Sequence, residues 1–252
     1  MRKIGLLFQI VGVLAVVCVY ATPAEAQATR TWVSGVGDDV NPCSRTAPCK
    51  TFAGAISKTA AGGEINVLDP GGFGGVTITK SISIISGFEA GVLVSGTNGI
   101  IVNVASTDNV VLEGLDIEGV GTGLNGVHIV GGGRTVIRKC SIRGFAQNAV
   151  NLVGTADARV MIVDSLLLKN NGGVNVHGAS GAFNFAALQN TVVDNNTTFA
   201  TQITAPGTLQ LSTSTLSGSL SSIVNVGGAS VISYGNNIIR NAGLPTQTLV
   251  LQ

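Results

Sequence analysis

Aromatic and charged side chains are scarce in this sequence of 252 residues, at 4% and 11% respectively. So few aromatic residues disfavour the stacking platforms on which single-stranded nucleic acids are bound. Two of the 14 basic residues and one of the 13 acidic residues precede residue 27, so the rest of the chain carries no net charge. A neutral chain offers no electrostatic attraction to nucleic acid or to an acidic membrane surface, and we expect neither as a partner.

The N-terminus has the pattern of a secretory signal peptide. Arg2 and Lys3 precede a largely apolar run over residues 4–21, and Ala24-Glu25-Ala26 has the small-x-small form of a cleavage site. This pattern predicts a signal peptide over residues 1–26, an exported protein in the periplasm or outside the cell, and no membrane association after cleavage. A single membrane anchor is the alternative, because the run approaches the length of the shortest spanning helices.

Cysteine is rare, with four residues, and two of them lie close together in the sequence. Cys43 and Cys49 enclose a short loop between two prolines, and export permits oxidation, so we predict a disulfide between them. A metal site would require two more soft ligands, and this segment contains no other Cys and no His. We therefore expect neither a metal nor a cofactor. Cys140 occupies an apolar repeat position and is predicted to be buried.

A repeat runs through most of the chain. Six ten-residue blocks share one pattern of large, polar and turn-forming positions; they start at Val110, Thr135, Met161, Ala186, Leu209 and Ile232. Their spacing of 23 to 26 residues is typical of solenoids, and their alternation and β-branched residues predict strands rather than helices. Further strands are predicted at apolar-polar-apolar triplets between the blocks, with Ile65-Asn66-Val67 as the first, so that each coil holds about three short strands.

Stacked coils would place like positions in columns about 4.8 Å apart. The predicted inward columns are Leu112, Ile137, Val163, Leu188, Leu211 and Tyr234, and Ile117, Ile142, Leu168, Val193, Leu216 and Ile239. Outward charges of opposite sign succeed one another on adjacent coils, as Glu113 and Arg138 do. This alternation favours a role in coil register over a binding face.

The predicted ends of the solenoid are closed by other segments, because open sheet edges would pair with other chains. Residues 51–63 place Phe52, Ala55, Ile56 and Ala60 on one helical face and end in two glycines, which predicts a capping helix. The domain boundaries that follow are an N-terminal cap over residues 27–63, the solenoid over residues 64–243 and a C-terminal tail or cap over residues 244–252.

The sequence resembles the right-handed parallel β-helix proteins of the pectate-lyase-like superfamily. The resemblance rests on residues 31–73, with a short strand, an Asn-Pro loop, a helix and an I-x-V-x-x-x-G rung, and on the repeats that follow. It implies an all-β fold: a right-handed parallel β-helix of about seven coils with an N-terminal capping helix.

Sugar polymers usually lie along the outer face of the first sheet in that superfamily. The middle positions of the triplets give the corresponding face here: Asn66, Asn103, His128, Asn151, Asn175, Gln202 and Asn225. This strip contains no Asp, Glu, Lys or Arg, whereas the superfamily's lyases need clustered carboxylates for calcium and its hydrolases need paired Asp. We assign no catalytic residue.

Three hypotheses about function remain open. The first is an exported, non-catalytic β-helix whose neutral strip binds a polysaccharide or a cell-surface glycan, because amides can donate to and accept from sugar hydroxyls. The second is a purely structural solenoid whose amides bond to each other. The third is a lyase or hydrolase with a site built from Asp108, Arg134, Asp157 and Arg159. The sequence leaves the oligomeric state open.

Overall fold

The computed structural model describes residues 27–178 and 181–249, apart from the side chains of Phe88 and Glu89. The predicted signal peptide therefore lies outside the described residues. Within them the chain is nearly all β, with one helix, α1 (Phe52–Lys58), and two parallel sheets.

One sheet contains a short strand from each of seven successive coils. In spatial order it comprises β20 (Ser221–Val226), β17 (Phe199–Thr204), β14 (Gly172–His177), β11 (Asn148–Leu152), β8 (Val127–Ile129), β6 (Ile100–Val102) and β4 (Val76–Ile78). All of its neighbouring strands are parallel.

The other sheet contains sixteen strands among the described residues. They are β1 (Ala28–Val33), β2 (Thr59–Val67), β3 (Gly71–Gly72), β5 (Ile82–Leu93), β7 (Asn109–Gly123), β9 (Gly133–Arg138), β10 (Ser141–Phe145), β12 (Ala158–Val163), β13 (Leu166–Leu168), β15 (Asn184–Gln189), β16 (Val192–Asp194), β18 (Thr208–Ser212), β19 (Thr215–Leu216), β21 (Ser230–Ser233), β22 (Ile238–Ile239) and β23 (Gln247–Thr248). The long strand β7 pairs with β9 through its first half and with β10 through its second half. Two rows of strands therefore diverge from it, and together with the seven-stranded sheet they form a parallel β-solenoid of about six turns, close to the number predicted.

A left-handed backbone residue bends each ten-residue block at the same place. The positive φ angles fall at Gly114, Lys139, Asp164, Asn190, Thr213 and Gly235, between 47° and 77°. Two blocks are shifted by one residue, so Asp164 and Gly235 take this place instead of Ser165 and Asn236, the fifth residues of those blocks.

The core columns show the same shift. Leu112 pairs with Ile137, which pairs with Ile162 rather than Val163, and Leu211 pairs with Ser233 rather than Tyr234. In the second column Leu167 takes the place predicted for Leu168. The runs Val160-Met161-Ile162-Val163 and Leu166-Leu167-Leu168 offer apolar residues in both phases of a strand, so the pattern did not determine the register.

The N-terminal cap contains the predicted disulfide and a helix shorter than predicted. Cys43 and Cys49 are bonded, with their Cα atoms 4.6 Å apart. The helix ends at Lys58 because Thr59 is extended (φ −94°, ψ 133°) and begins β2, which pairs with β1. The buried Thr59 hydroxyl donates to the carbonyl of Ala55, 2.7 Å away, and lies 2.8 Å from the hydroxyl of Thr31.

At the C-terminal end, the predicted tail adds a strand to the solenoid. Gln247 and Thr248 of β23 pair with Ile232 and Ser233 of β21, which covers part of the last sheet edge. The last residues of the predicted tail or cap, 250–252, lie outside the described residues.

Ion pairs link adjacent coils, as the charge columns predicted. Arg138 lies 2.5 Å from Glu113, and Arg143 lies 2.7 Å from Glu118. Arg143 also pairs with Asp116 of the same neighbouring coil, and these contacts raise the pKa of the guanidinium. The partners bridge neighbouring strands, which supports a role in coil register.

Candidate functional site: the outer face of the seven-stranded sheet

The outward side chains at the centre of the seven-stranded sheet form one continuous column. We call it the outer column; it consists of Thr77, Ile101, His128, Asn151, Asn175, Gln202 and Val224. Each member lies between two buried residues of its own strand in β4, β6, β8 and β11, and so it points away from the core.

A column of small residues two positions earlier sets this register. It contains Gly75, Gly99, Gly126, Ala149, Gly173, Ala200 and Ser222. A Cβ added at Gly99 would stand 2.6 Å from the carbonyl oxygen of Gly126, and one added at Gly126 would stand 2.5 Å from that of Ala149. Adjacent coils therefore approach closely at both glycines, and the residue two places on is a member of the outer column.

Four consecutive polar members of the outer column, His128, Asn151, Asn175 and Gln202, form a hydrogen-bonded row that we call the polar ladder. The Gln202 amide donates to Oδ1 of Asn175 (3.3 Å), and the Asn175 amide donates to Oδ1 of Asn151 (2.8 Å). The Asn151 amide lies 3.1 Å from Nδ1 of His128. Every donor points the same way along the solenoid.

This direction determines the state of the imidazole. Because Oδ1 of Asn151 accepts from Asn175, its amide nitrogen faces His128, and Nδ1 must accept. The ring therefore carries its proton on Nε2 and is neutral. Burial lowers the pKa of His128, which also favours the neutral ring.

Two residues predicted for this face lie off the column. His128 pairs with Ile101, so Asn103 lies two residues beyond the column position, after the end of β6. Gln202 pairs with Val224, and Asn225 instead donates to the carbonyl of Ala229, 2.7 Å away. The structure therefore places both residues outside the column, because the Val-Asn-Val pattern recurs there out of register.

The first predicted rung was also wrong. Asn66 lies in β2 of the sixteen-stranded sheet, between Trp32 and Ile85, and bonds to Glu64 (2.9 Å). The first strand of the seven-stranded sheet is β4, which contributes Thr77 to the outer column.

A groove of about 550 Å³ continues the outer column toward the N-terminal cap. It is lined by Thr77 and Ile101 of the outer column, by Ala53 and Ile56 of α1, and by residues of the segment 94–99. The face therefore passes from a partly apolar groove at one end to the polar ladder in the middle, within a single sheet.

The two carboxylates considered for an enzymatic site have local structural partners. Asp108 accepts from the hydroxyl of Ser81 (2.6 Å) and the amide of Ala105 (3.0 Å), and these bonds lower the pKa of its carboxyl, which disfavours it as a general acid. Asp157 accepts from the amide of Phe183 (2.8 Å). Both carboxylates cap turns.

Two further properties can be stated for residues 27–178 and 181–249. In this part of the chain, no three or more His, Cys, Asp and Glu side chains are grouped so that they could hold a metal ion. Over the same ranges, no helix has the length and apolar character needed to cross a membrane.

Comparison with known proteins identifies the fold. No family model and no curated protein matches the chain. Among solved structures, the pectate lyase Pel9A is 14% identical, with 84% of this chain and 73% of that chain covered and a TM-score of 0.59. The chain has the fold of this pectate lyase. The predicted resemblance is thus confirmed for the fold, and an identity of 14% extends it no further.

A second solved structure, the Dettilon tailspike protein (gp208), is 11% identical, with 88% of this chain and 60% of that chain covered. Its TM-score of 0.30 is too low to support an argument.

Proposed function

We propose that this protein is an exported, non-catalytic β-helix that binds a polysaccharide or a cell-surface glycan along its outer column. The observation that carries the proposal is the polar ladder, in which three amides and a neutral imidazole stand one strand spacing apart on an outward sheet face. The name of the structural neighbour, a pectate lyase, supports a glycan as the ligand. The Cys43–Cys49 disulfide supports export.

The hydrogen bonds within the polar ladder leave capacity for a ligand. Each amide has two N–H donors and an oxygen with two lone pairs, and an interior member such as Asn175 uses one donor and accepts from one partner within the row. The remaining groups are held in place by their neighbours. Binding to side chains that are already ordered costs less conformational entropy, which favours contacts with sugar hydroxyls.

The chemistry of the row favours binding over catalysis. Amide side chains are neither protonated nor ionised at neutral pH and so cannot serve as general acids or bases, and the ring nitrogen of His128 that could accept a proton is occupied by Asn151. The groove beside α1 would receive the end of a longer chain, with its apolar surface against the carbon-bound hydrogens of a sugar ring.

A purely structural role is the second candidate, and one observation favours it: the members of the polar ladder bond to each other, and Asn151 is only 9% exposed. In that case removal of the amides would lower stability and change no binding.

The test compares two double variants of the mature chain on immobilised plant and bacterial polysaccharides, including methyl-esterified pectin. Asn151→Ala with Asn175→Ala removes two ladder amides, and Asn103→Ala with Asn225→Ala removes two amides that lie off the column. We expect the first pair to abolish retention, the second to preserve it, and both proteins to remain folded in thermal melts. Equal retention by both variants, or loss of retention only through unfolding, would favour the structural role.

A further inference from the structure

Two arginines lie side by side on the sixteen-stranded sheet, around the corner from the polar ladder. Arg134 of β9 pairs directly with Arg159 of β12, and both side chains are exposed. Like charges at paired positions of adjacent strands repel each other and destabilise the sheet. Elsewhere on the same sheet, the outward charges at Glu113 and Arg138 alternate in sign and form an ion pair.

Among the described residues, neither guanidinium makes an ion pair or a side-chain hydrogen bond. Two carboxylates in the turns before β7 and β12, those of Asp108 and Asp157, accept from Ser81, from Ala105 and from the amide of Phe183. All the donors of both guanidiniums are therefore available, at a position where the sheet would be more stable without one of the two charges.

Aromatic rings lie next to this pair. Phe185 of β15 is the next member of the column after Arg159, and Phe183 precedes it by two residues. The two rings are stacked, with centroids 6.2 Å apart, and the Arg159 guanidinium lies 5.6 Å from the Phe183 ring and 6.0 Å from the Phe185 ring. These contacts hold the guanidinium in position while its N–H groups remain free.

Arg134, Arg159 and Phe185 line a shallow groove of about 250 Å³, together with the apolar residues Val136 and Met161. Phe183 adjoins this groove through its contacts with Phe185 and the Arg159 guanidinium. Phe183 and Met161 are 41% and 45% exposed, so the apolar surface is open to solvent. A groove with unpaired cations, exposed aromatic rings and apolar walls fits a ligand that carries both negative charge and C–H surface.

We propose that this arginine groove, made of Arg134, Arg159, Phe183 and Phe185, binds an acidic polysaccharide through the carboxylates of its uronate residues. The guanidiniums donate paired hydrogen bonds to a carboxylate, and the phenyl rings pack against the sugar face. A nucleic acid fits less well because the mature chain is neutral and the positive charge is confined to two residues. This site lies on a different sheet from the polar ladder and takes a charged ligand, so it goes beyond the proposed function.

The test is affinity electrophoresis of the mature protein in gels that contain polygalacturonate, at low ionic strength. Wild-type protein should be retarded, and Arg134→Gln with Arg159→Gln should bind at least about tenfold more weakly, since each lost charge-assisted hydrogen bond weakens binding. The matched control, Arg45→Gln with Arg240→Gln, removes two exposed arginines elsewhere and should be retarded like the wild type. Phe183→Ala should also weaken binding. Polygalacturonate whose carboxylates have been reduced should not bind to this groove, because the guanidiniums then have no carboxylate to bind.

The outcomes separate this inference from the proposed function. If Asn151→Ala with Asn175→Ala binds polygalacturonate normally while the arginine variant does not, the arginine groove is an independent site. Equal retardation of the arginine variant, its control and the wild type would overturn the inference and leave the polar ladder untouched. Equally strong retardation by polyphosphate or DNA, unaffected by Phe183→Ala, would show charge attraction alone and would also overturn it.

Discussion

Replacement of Asn170 by alanine is expected to destabilise the solenoid far more than its position in a turn suggests. Asn170 is 2% exposed, and its side chain accepts from the amide of Phe145 (3.1 Å) and donates to the carbonyl of Ile142 (3.2 Å) and to Oδ1 of Asn196 (3.0 Å). It therefore joins three successive coils through a buried amide.

The expected magnitude follows from these bonds. Alanine would leave the buried amide of Phe145 without its acceptor, and an unsatisfied buried group costs about 1 to 3 kcal/mol. The two other lost hydrogen bonds contribute about 0.5 to 1.5 kcal/mol each, so the free energy of unfolding should fall by about 2 to 6 kcal/mol. Asn170→Asp has the same shape but loses both donors and buries a charge, so it should destabilise at least as much at neutral pH.

The measurement is urea-induced unfolding of the mature chain, followed by circular dichroism. Asn171→Ala is the matched control, because Asn171 is exposed and adjacent, and it should change stability by less than about 0.5 kcal/mol. If Asn170→Ala and Asn171→Ala shift the unfolding midpoint equally, the buried amide does not hold the coils together and the reasoning is wrong.

Three further predictions concern titration and sulfur chemistry. Burial lowers the pKa of His128, so as the pH falls this residue is protonated in the unfolded chain before it is protonated in the folded one. The Tm should therefore be constant above about pH 6.5 and fall below it, and the fall should be smaller in His128→Gln. Burial raises the pKa of Cys140 to about 11, so a thiol reagent at pH 8 should label one thiol only after unfolding; rapid native labelling would contradict its burial. Cys43→Ser with Cys49→Ser should lower the unfolding free energy by about 2 kcal/mol, through loss of a short closed loop; an unchanged urea midpoint would contradict this.

The fold could be predicted from the sequence because six segments share the same strand pattern at a regular spacing. A single block such as residues 110–119 is compatible with many sheets, but strands that recur every 23 to 26 residues must stack on their counterparts to bury their apolar face. Charge columns gave further support, and the pairs of Glu113 with Arg138 and of Glu118 with Arg143 are present.

The register and hence the site could not be predicted equally well. Where both phases of a strand are apolar, as in Val160-Met161-Ile162-Val163, hydrophobic alternation does not distinguish one register from the next. Asn103 and Asn225 were assigned to the column for a different reason. Each lies in a Val-Asn-Val triplet like those of the polar ladder, but the column positions in their coils are Ile101 and Val224.

The small-residue column contains the signal that would have placed the site. Counting two residues on from Gly99, Gly126 and Ala149 gives Ile101, His128 and Asn151 of the outer column, as the structure has them. The constraint is steric, because the next coil's carbonyl leaves no room for a larger side chain. Hydrophobic periodicity does not detect it, since the pattern is defined by the small size of the side chains and not by their polarity.

The helix boundary was missed because local propensity was outweighed by sheet pairing. Residues 60–63 are compatible with a helix that ends at Gly62-Gly63, but Thr59 bonds to Thr31 and β2 pairs with β1 and β5. Those contacts come from segments distant in sequence, and a helical pattern does not contain them.

The outer column itself is tested most directly by disulfide cross-linking at the position where the structure has Ile101 and the sequence predicted Asn103. Ile101 and His128 are paired outward residues, whereas Asn103 and His128 are separated by about 8 Å, from one strand spacing and two residues along the strand. Mild oxidation should cross-link Ile101→Cys with His128→Cys, whose Cα atoms lie within reach of a disulfide, and leave Asn103→Cys with His128→Cys reduced. Preferential cross-linking of the Asn103 pair would contradict the column and the binding face built on it.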